Sequence, residues 1–310
     1  MSIHINRRKF IEQSAAGIAL GGIGAAAGFW PGILSAEPIR KQTFNIGCAA
    51  ITWGNNLEAA LDEISELGFK GIQLRGNAYD LWKEKPEKLW KEMKSRNLTC
   101  PVFSAGEANF NTSDDDKLLD ELLEKAEFFA RIGAQFAQLT NGMRPKNEAE
   151  LTPELIKKFS HRLNEIAEEF TRLGLTVVYH NHMGQLGQKP EETDAILSQT
   201  DPTNVAFLLD IAHYWQGGGD PVRCLKRYEN RIPIIHLKDV RQDAEDPTKY
   251  KFVELGQGQL PVQDFMTAME QTKFRGWGMV ELDSPTSKDK TAKQCTEISR
   301  QFIIDQGFRL

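Results

Sequence analysis

VVYHNH (Val177–His182), LLDIAH (Leu208–His213), IIHLKD (Ile234–Asp239) and MVELD (Met279–Asp283) share one pattern: a short apolar run that ends at once in His, Asp or Glu. Strands buried on both faces, as in parallel α/β sheets, read as apolar runs rather than as alternating ones. A polar group placed where each run stops sits at one rim of such a sheet, and in a (β/α)8 barrel that rim carries the active site. The pattern predicts that four segments distant in sequence converge on one point.

Outward from these segments the chain alternates. Strands are expected near Phe44–Ala50, Gly71–Leu74, Thr99–Ser104, Phe136–Leu139, Thr176–Tyr179, Val205–Leu209, Ile232–Leu237 and Gly278–Val280, with helix-period segments between them. Several helical segments open on Pro (Pro86, Pro153, Pro190, Pro221) and several close on Gly (Gly68, Gly133, Gly174). Strand–helix alternation implies a parallel sheet with crossovers, and eight strands are the number that closes a barrel. A doubly wound open sheet is the competitor, but the first strand lacks a Gly-rich phosphate turn. The expectation is an α/β fold, a (β/α)8 TIM barrel, forming a single catalytic domain over residues 37–310.

Residues 1–36 read differently. Asn6-Arg7-Arg8-Lys9-Phe10-Ile11 precedes the Ala/Gly/Ile stretch Ala15–Phe29. A basic segment before a short, weakly hydrophobic one marks an export signal rather than a spanning helix. The paired arginines followed by Phe resemble a twin-arginine signal, although Asn6 stands where Ser or Thr is usual. This predicts dealings with the twin-arginine export machinery and a periplasmic protein. Cleavage after Ala36 would leave the large Leu34 at the minus-three position, so an uncleaved membrane anchor stays open.

Composition excludes little else. The net charge of −5 gives no global basic field for nucleic acid. Cys48, Cys100, Cys224 and Cys295 are far apart, without zinc-knuckle spacing, and Cys48 and Cys100 read as buried thiols.

At the strand ends, His180 and His182 point the same way if the strand continues; if it turns, one serves a metal and the other a substrate. Asp210 suits a metal ligand, or the cap of the following turn, and His213 follows three residues later. His236 interrupts an apolar run and needs a partner, a metal or a core hydrogen bond. Glu281 at a buried strand end needs coordination or a salt bridge. Lys238 shares the face of His236 and could stabilise an oxyanion, or pair with Asp239 or Glu281. Trp53, Arg75 and Glu107 follow the first three strands at the same rim. Trp53 could stack on a sugar ring or pack in the core; Arg75 and Glu107 could contact substrate or form surface ion pairs. Gly217-Gly218-Gly219 reads as a flexible turn.

Taken together, HNHMG (His180–Gly184), LDIAH (Leu209–His213), GGDP (Gly218–Pro221), RIPIIHLKDV (Arg231–Val240), GQGQLPVQDF (Gly256–Phe265) and GWGMVELD (Gly276–Asp283) resemble the xylose-isomerase-like TIM-barrel superfamily of sugar isomerases and epimerases. GFKGIQLRG (Gly68–Gly76) is a weaker match, and within the superfamily the pattern is most similar to that of inosose dehydratases. The resemblance implies a divalent metal (Mn²⁺, Co²⁺, Mg²⁺ or Zn²⁺) held by His180, Asp210, His236 and Glu281. It also implies a sugar or keto-sugar substrate, with His213 and Lys238 binding it beside Trp53, Arg75 and Glu107. One position departs: epimerases carry Glu where this chain has His180, so a two-carboxylate proton shuttle lacks one member.

The expected chemistry is proton abstraction next to a carbonyl by Glu281 or His182, with Lys238 near the oxyanion. Isomerisation or epimerisation is the first expectation and β-elimination by a lyase the second. A non-catalytic periplasmic sugar-binding protein is a third reading. A metal-dependent endonuclease is disfavoured by the acidic charge and the export signal. A homo-oligomer is compatible with all of these.

Overall fold

The computed structural model describes residues 42–110, 113–141, 144–246 and 249–310. The expected export segment, residues 1–36, lies outside the described residues.

The barrel strands are β1 (Asn45–Ala49), β2 (Gly71–Arg75), β3 (Val102–Glu107), β4 (Phe136–Thr140), β5 (Thr176–His180), β6 (Val205–Asp210) and β7 (Ile234–Leu237). An antiparallel hairpin of β8 (Asp239–Gln242) and β9 (Tyr250–Val253) follows, and then the last barrel strand, β10 (Trp277–Val280). The eight barrel strands pair in parallel, and β10 closes the ring on β1 from Asn45–Trp277 to Cys48–Val280. The (β/α)8 expectation is met.

The strand ends moved where proline intervenes. Pro101 and Pro233 have no N–H for a ladder, so β3 starts at Val102 and β7 at Ile234. Thr99 keeps only an isolated bridge to Gly71.

The helices are α1 (Leu57–Glu66), α2 (Gly76–Trp82), α3 (Pro86–Ser95), α4 (Asp115–Arg131), α5 (Pro153–Arg172), α6 (Pro190–Ser198), α7 (Ile211–Gln216), α8 (Pro221–Tyr228), α9 (Val262–Gln271) and α10 (Ala292–Asp305). α5 shows why they form. Thr152 caps it by accepting from Leu155 N, Pro153 occupies the first turn, and Ile156, Phe159, Leu163, Ile166 and Phe170 line one buried face. Each such side chain contributes about 1.5–3 kcal/mol by leaving water. The short helices α2 and α7 were not expected, because neither is long enough to display a helical period.

Two cores result. The larger lies between barrel and helices and takes the outward residues of the strands, such as Val177, Tyr179, Phe207 and Leu209. The smaller fills the barrel's lower interior with Val102, Val178, Ala206, Leu208, Ile234 and Met279. Gly71 and Gly47 make room for it. A Cβ on Gly71 would meet the Trp277 ring at 2.3 Å, and one on Gly47 would meet Met279 at 2.7 Å.

Side chains two apart on a strand share a face. Two residues beyond Val178, Leu208, Ile234 and Met279 come His180, Asp210, His236 and Glu281. The apolar layer thus carries a polar layer directly above it, toward the C-terminal ends of the strands. Cys48 and Cys100 are buried free thiols, as expected, and so are Cys224 and Cys295. The glycine run is a tightly packed corner rather than an open turn: a Cβ on Gly217 would lie 1.9 Å from Gln188 O, and one on Gly219 would lie 2.2 Å from the Tyr214 ring.

Candidate active site

Asp210 ends β6 and also caps α7. Its Oδ1 accepts from His213 N at 2.8 Å, which leaves Oδ2 to the barrel interior. Both sequence readings of Asp210, cap and candidate ligand, are open to it at once, one for each oxygen. Asn181 locks the strand end in place, accepting from Asp210 N at 3.0 Å and donating to Asp210 O at 3.1 Å. Around Oδ2 stand His236 Nδ1 at 3.5 Å, Lys238 Nζ at 3.9 Å and His213 Nε2 at 4.0 Å. His236 Nδ1 is also 3.3 Å from Glu281 Oε2.

The hydrogen-bond ledger of this cluster does not close. Asp210 Oδ2, His180 Nδ1, His236 Nδ1 and His213 Nε2 are all buried without a hydrogen-bond partner among the described residues. Buried polar atoms are almost always satisfied, so four exceptions in one place require a common explanation. Candidate donor atoms of Asp210, His236 and Glu281 lie within 4.8 Å of one another, and so do those of His180, Asp210 and His213. Imidazole nitrogen with carboxylate oxygen is a donor set that suits a divalent transition metal.

The tautomers separate the histidines. Met183 N can only donate, and it donates to His213 Nδ1 at 3.3 Å. The proton of neutral His213 therefore sits on Nε2, which makes that atom a donor toward Asp210 rather than a ligand. His182 is the reverse. Its Nδ1 faces the carbonyl of Met183 at 2.6 Å and must donate, which leaves Nε2 with a free lone pair.

Electrostatics keep the groups in useful states. Burial, reinforced by the neighbouring His236, holds His180 well below the usual histidine range, so it is neutral. Burial opposes ionisation of Asp210, but His213, Lys238 and His236 outweigh it and keep the carboxyl well below its usual range. Burial likewise opposes the charge on Lys238, yet Glu281, Asp210 and Asp283 hold its ammonium well above the usual range. Lys238 Nζ donates to Glu281 Oε1 at 2.9 Å and to Asp283 Oδ1 at 2.6 Å. Asp239 is not its partner. The Asp239 carboxylate accepts instead from the backbone N–H groups of Val240, Gly256, Gly258 and Leu260.

Three of those bonds, from Gly256, Gly258 and Leu260, explain GQGQLP: they fasten the loop after β9 to the start of the hairpin. The hairpin in turn roofs the site. Phe252 lies over Lys238, with Nζ 4.2 Å from the ring centroid, and stands edge-on to His213 at 5.2 Å.

A cavity of about 580 Å³ opens above the polar layer, a volume suited to a small metabolite. Arg75, Glu107, His180, His182, Lys238 and Glu281 line it. Two expected substrate contacts do not. Trp53 belongs to the outer core, and its indole N–H donates to Glu63 Oε2 at 2.6 Å, so it is the packing tryptophan of the two readings. His213 is 2 % exposed and stands behind His182, their rings 3.9 Å apart, so it reaches the cavity only through that neighbour.

Sequence reasoning missed Gln73, Ser104 and Gln138, which line the same cavity, and also Asn181, Asp283 and Phe252. A signal existed for Gln73 and Gln138. GIQLR and FAQLT each set one amide inside an apolar run, as His236 is set inside its own.

A family model described as xylose isomerase-like TIM barrel matches residues 61–302. The chain belongs to the xylose isomerase-like TIM-barrel family. This family member is 27% identical over 301 residues to an inosose dehydratase of Bacillus anthracis (strain CDC 684 / NRRL 3495), a match that covers 86% of this chain and 99% of the relative. Among solved structures, the probable 3-DHS dehydratase AsbF of Bacillus anthracis superposes with a TM-score of 0.68 at 18% identity, covering 84% of this chain and 99% of that one. IolI, solved with a bound zinc atom, gives a TM-score of 0.70 at 18% identity, covering 86% of this chain and all of that one (100%). Both structures share the fold of this family member.

Proposed function

We propose that this xylose isomerase-like barrel is a divalent-metal-dependent lyase that removes water from a keto-cyclitol or keto-sugar of the inosose class. The observation that carries the proposal is the residue at the end of β5. An imidazole, His180, stands where a proton-shuttling epimerase needs its second carboxylate, and the buried carboxylate of Glu281 is engaged by Lys238. This reverses the order expected from sequence, where isomerisation came first. The relatives named dehydratases support the same order.

His180, Asp210, His236 and Glu281 are the residues that would hold the metal; the unsatisfied buried atoms of the first three, with Glu281 Oε2 3.3 Å from His236 Nδ1, are the reason that they fit one. Such an ion supplies Lewis acidity toward the substrate's oxygens. The chain supplies the rest. His182, with its free Nε2 facing the cavity, takes the proton from the carbon beside the carbonyl. Lys238, held cationic, stabilises the negative charge that develops on the carbonyl oxygen. The imidazolium of His182 then returns its proton to the departing β-hydroxyl, so the carbon–oxygen bond breaks with release of water and a carbon–carbon double bond remains. His213, its ring tilted against that of His182 at 3.9 Å, steadies it. Arg75 and Glu107 at the rim would meet the substrate's outer hydroxyls.

Incubation of the metal-loaded protein with an inosose in deuterated water tests this. The expected product is lighter by one water. Recovered substrate that has exchanged deuterium or changed configuration, with no dehydrated product, would overturn the proposal in favour of isomerisation.

We further propose that the protein acts outside the cytoplasm, a reading supported by residues 1–36 alone. Fractionation of cells expressing the full chain and one with Arg7 and Arg8 replaced by Lys tests it. Equal cytoplasmic retention of both would sink the proposal.

A further inference from the structure

Three side chains of the polar layer have no task so far: Gln73 on β2, Ser104 on β3 and Gln138 on β4. They form a chain that ends on a candidate metal ligand. His236 Nε2 lies 3.0 Å from Gln73 Oε1. Gln73 Nε2 donates to Ser104 Oγ at 3.1 Å and to Gln138 Oε1. Ser104 Oγ donates to Gln138 Oε1 at 3.2 Å.

This chain has a direction. An amide oxygen accepts only and an amide nitrogen donates only, so the order of bonds fixes where each proton sits. As arranged, Gln73 Oε1 must receive a proton from His236 Nε2, and His236 Nδ1 is left as a lone pair. The opposite polarity requires both amides to turn over together. It would also place a proton on His236 Nδ1, facing Asp210 Oδ2 and Glu281 Oε2. Nδ1 stands 3.5 Å from Asp210 Oδ2 and 3.3 Å from Glu281 Oε2, and candidate donor atoms of these three residues lie within 4.8 Å of one another, close enough to share a cation.

We propose that Gln73 is a positioning residue that locks His236 in the Nε2–H tautomer, with Gln138 and Ser104 locking Gln73 in turn. His236 Nδ1 thereby stays available to a divalent cation. The inference rests on reading His236 as a ligand. The same polarity gives Gln138 a second consequence. No described residue accepts from its Nε2, and it lines the cavity, so its amide hydrogens are offered to an oxygen of whatever occupies that space.

The test uses the intact protein and zinc alone, without substrate. Zinc affinity is measured by competition with a chromophoric chelator for the native protein, Gln73→Leu and Gln73→Glu. Leucine removes the acceptor and should weaken binding about 10–100-fold, as losing the hydrogen-bond partner of a metal-bound histidine does, whereas glutamate keeps the acceptor and should hold affinity within about threefold. Nitrogen-15 NMR of the zinc-bound native protein should find the His236 proton on Nε2, which also decides the matter if Gln73→Leu fails to fold. Native-like zinc binding by Gln73→Leu, an equal loss in Gln73→Glu, or a proton on Nδ1 would overturn the inference alone. A native protein that takes up no zinc would overturn the metal reading and this inference with it.

Discussion

Lys238→Met removes the one cation that the barrel interior sets among three carboxylates. Lys238 is 1 % exposed and lies 2.9 Å from Glu281, 2.6 Å from Asp283 and 3.9 Å from Asp210. Methionine fills nearly the same volume, so packing is preserved while the charge is lost. Breaking a buried ion pair from one side costs about 3–5 kcal/mol, because the remaining charges stay buried and unpaired. For a domain of this size each kcal/mol moves the melting temperature by about 2–4 °C, so in chelator the variant should melt roughly 6–20 °C below the parent. A cation bound among the same carboxylates replaces the missing charge. Zinc at 100 times its dissociation constant should return about 2.7 kcal/mol by mass action alone. The variant should gain more than the parent from a given zinc concentration, since Asp210 and Glu281 are then less neutralised before binding. Thermal melts of both proteins, with chelator and across a zinc series, measure this. A variant that melts within about 2 °C of the parent in chelator, or that gains no more from zinc than the parent, would refute the charge balance drawn for this site.

Three further outcomes are expected. His182→Ala should lower turnover of an inosose by about 10²–10⁴-fold while leaving zinc affinity unchanged; a matching loss of zinc would make His182 a ligand instead. Trp53→Phe should cost about 1 kcal/mol through the lost bond to Glu63, without moving KM; a KM rise would restore Trp53 to the substrate site. In chelator, stability should fall with acid. Burial depresses His180 and His213 below their ordinary 6.5. Below that pH the unfolded chain binds protons that the folded one refuses, so each residue contributes a loss of up to about 1.4 kcal/mol per pH unit. Denaturant titrations from pH 6.5 downward should show that slope, and a flat profile would mean that these imidazoles protonate in place.

The barrel and most of the metal cluster were legible because strand burial and strand ends write themselves into one dimension. VVYHNH and LLDIAH show where each run stops, and a two-residue period carries the inward face from Val178 to His180 and from Leu208 to Asp210. What sequence could not give was direction off that period. Trp53 lies in the bend after β1, where no strand alternation fixes its side chain, and the structure turns it outward to Glu63. His213 lies on α7, whose six residues are too few for a helical pattern, so its place behind His182 was unreadable. Gln73 and Gln138 were readable but ambiguous: an amide inside an apolar run signals burial without naming its partner. The hairpin of β8 and β9 was hidden because its roofing contacts depend on Asp239 reaching backbone N–H groups some twenty residues on.

Lys238 and Asp239 are adjacent, and the strand's alternation sends one inward to the chemistry and the other outward to the loop that carries the roof. The hairpin pairing runs from Asp239–Val253 to Gln242–Tyr250, so its far end lies away from both anchors. Substitutions at that far end are therefore free to accumulate without disturbing either the contacts of Lys238 or the place of Phe252 above it. A barrel built this way ties its buried cation and the fastening of its roof to neighbouring residues, so an insertion or deletion at that junction would dislodge both together.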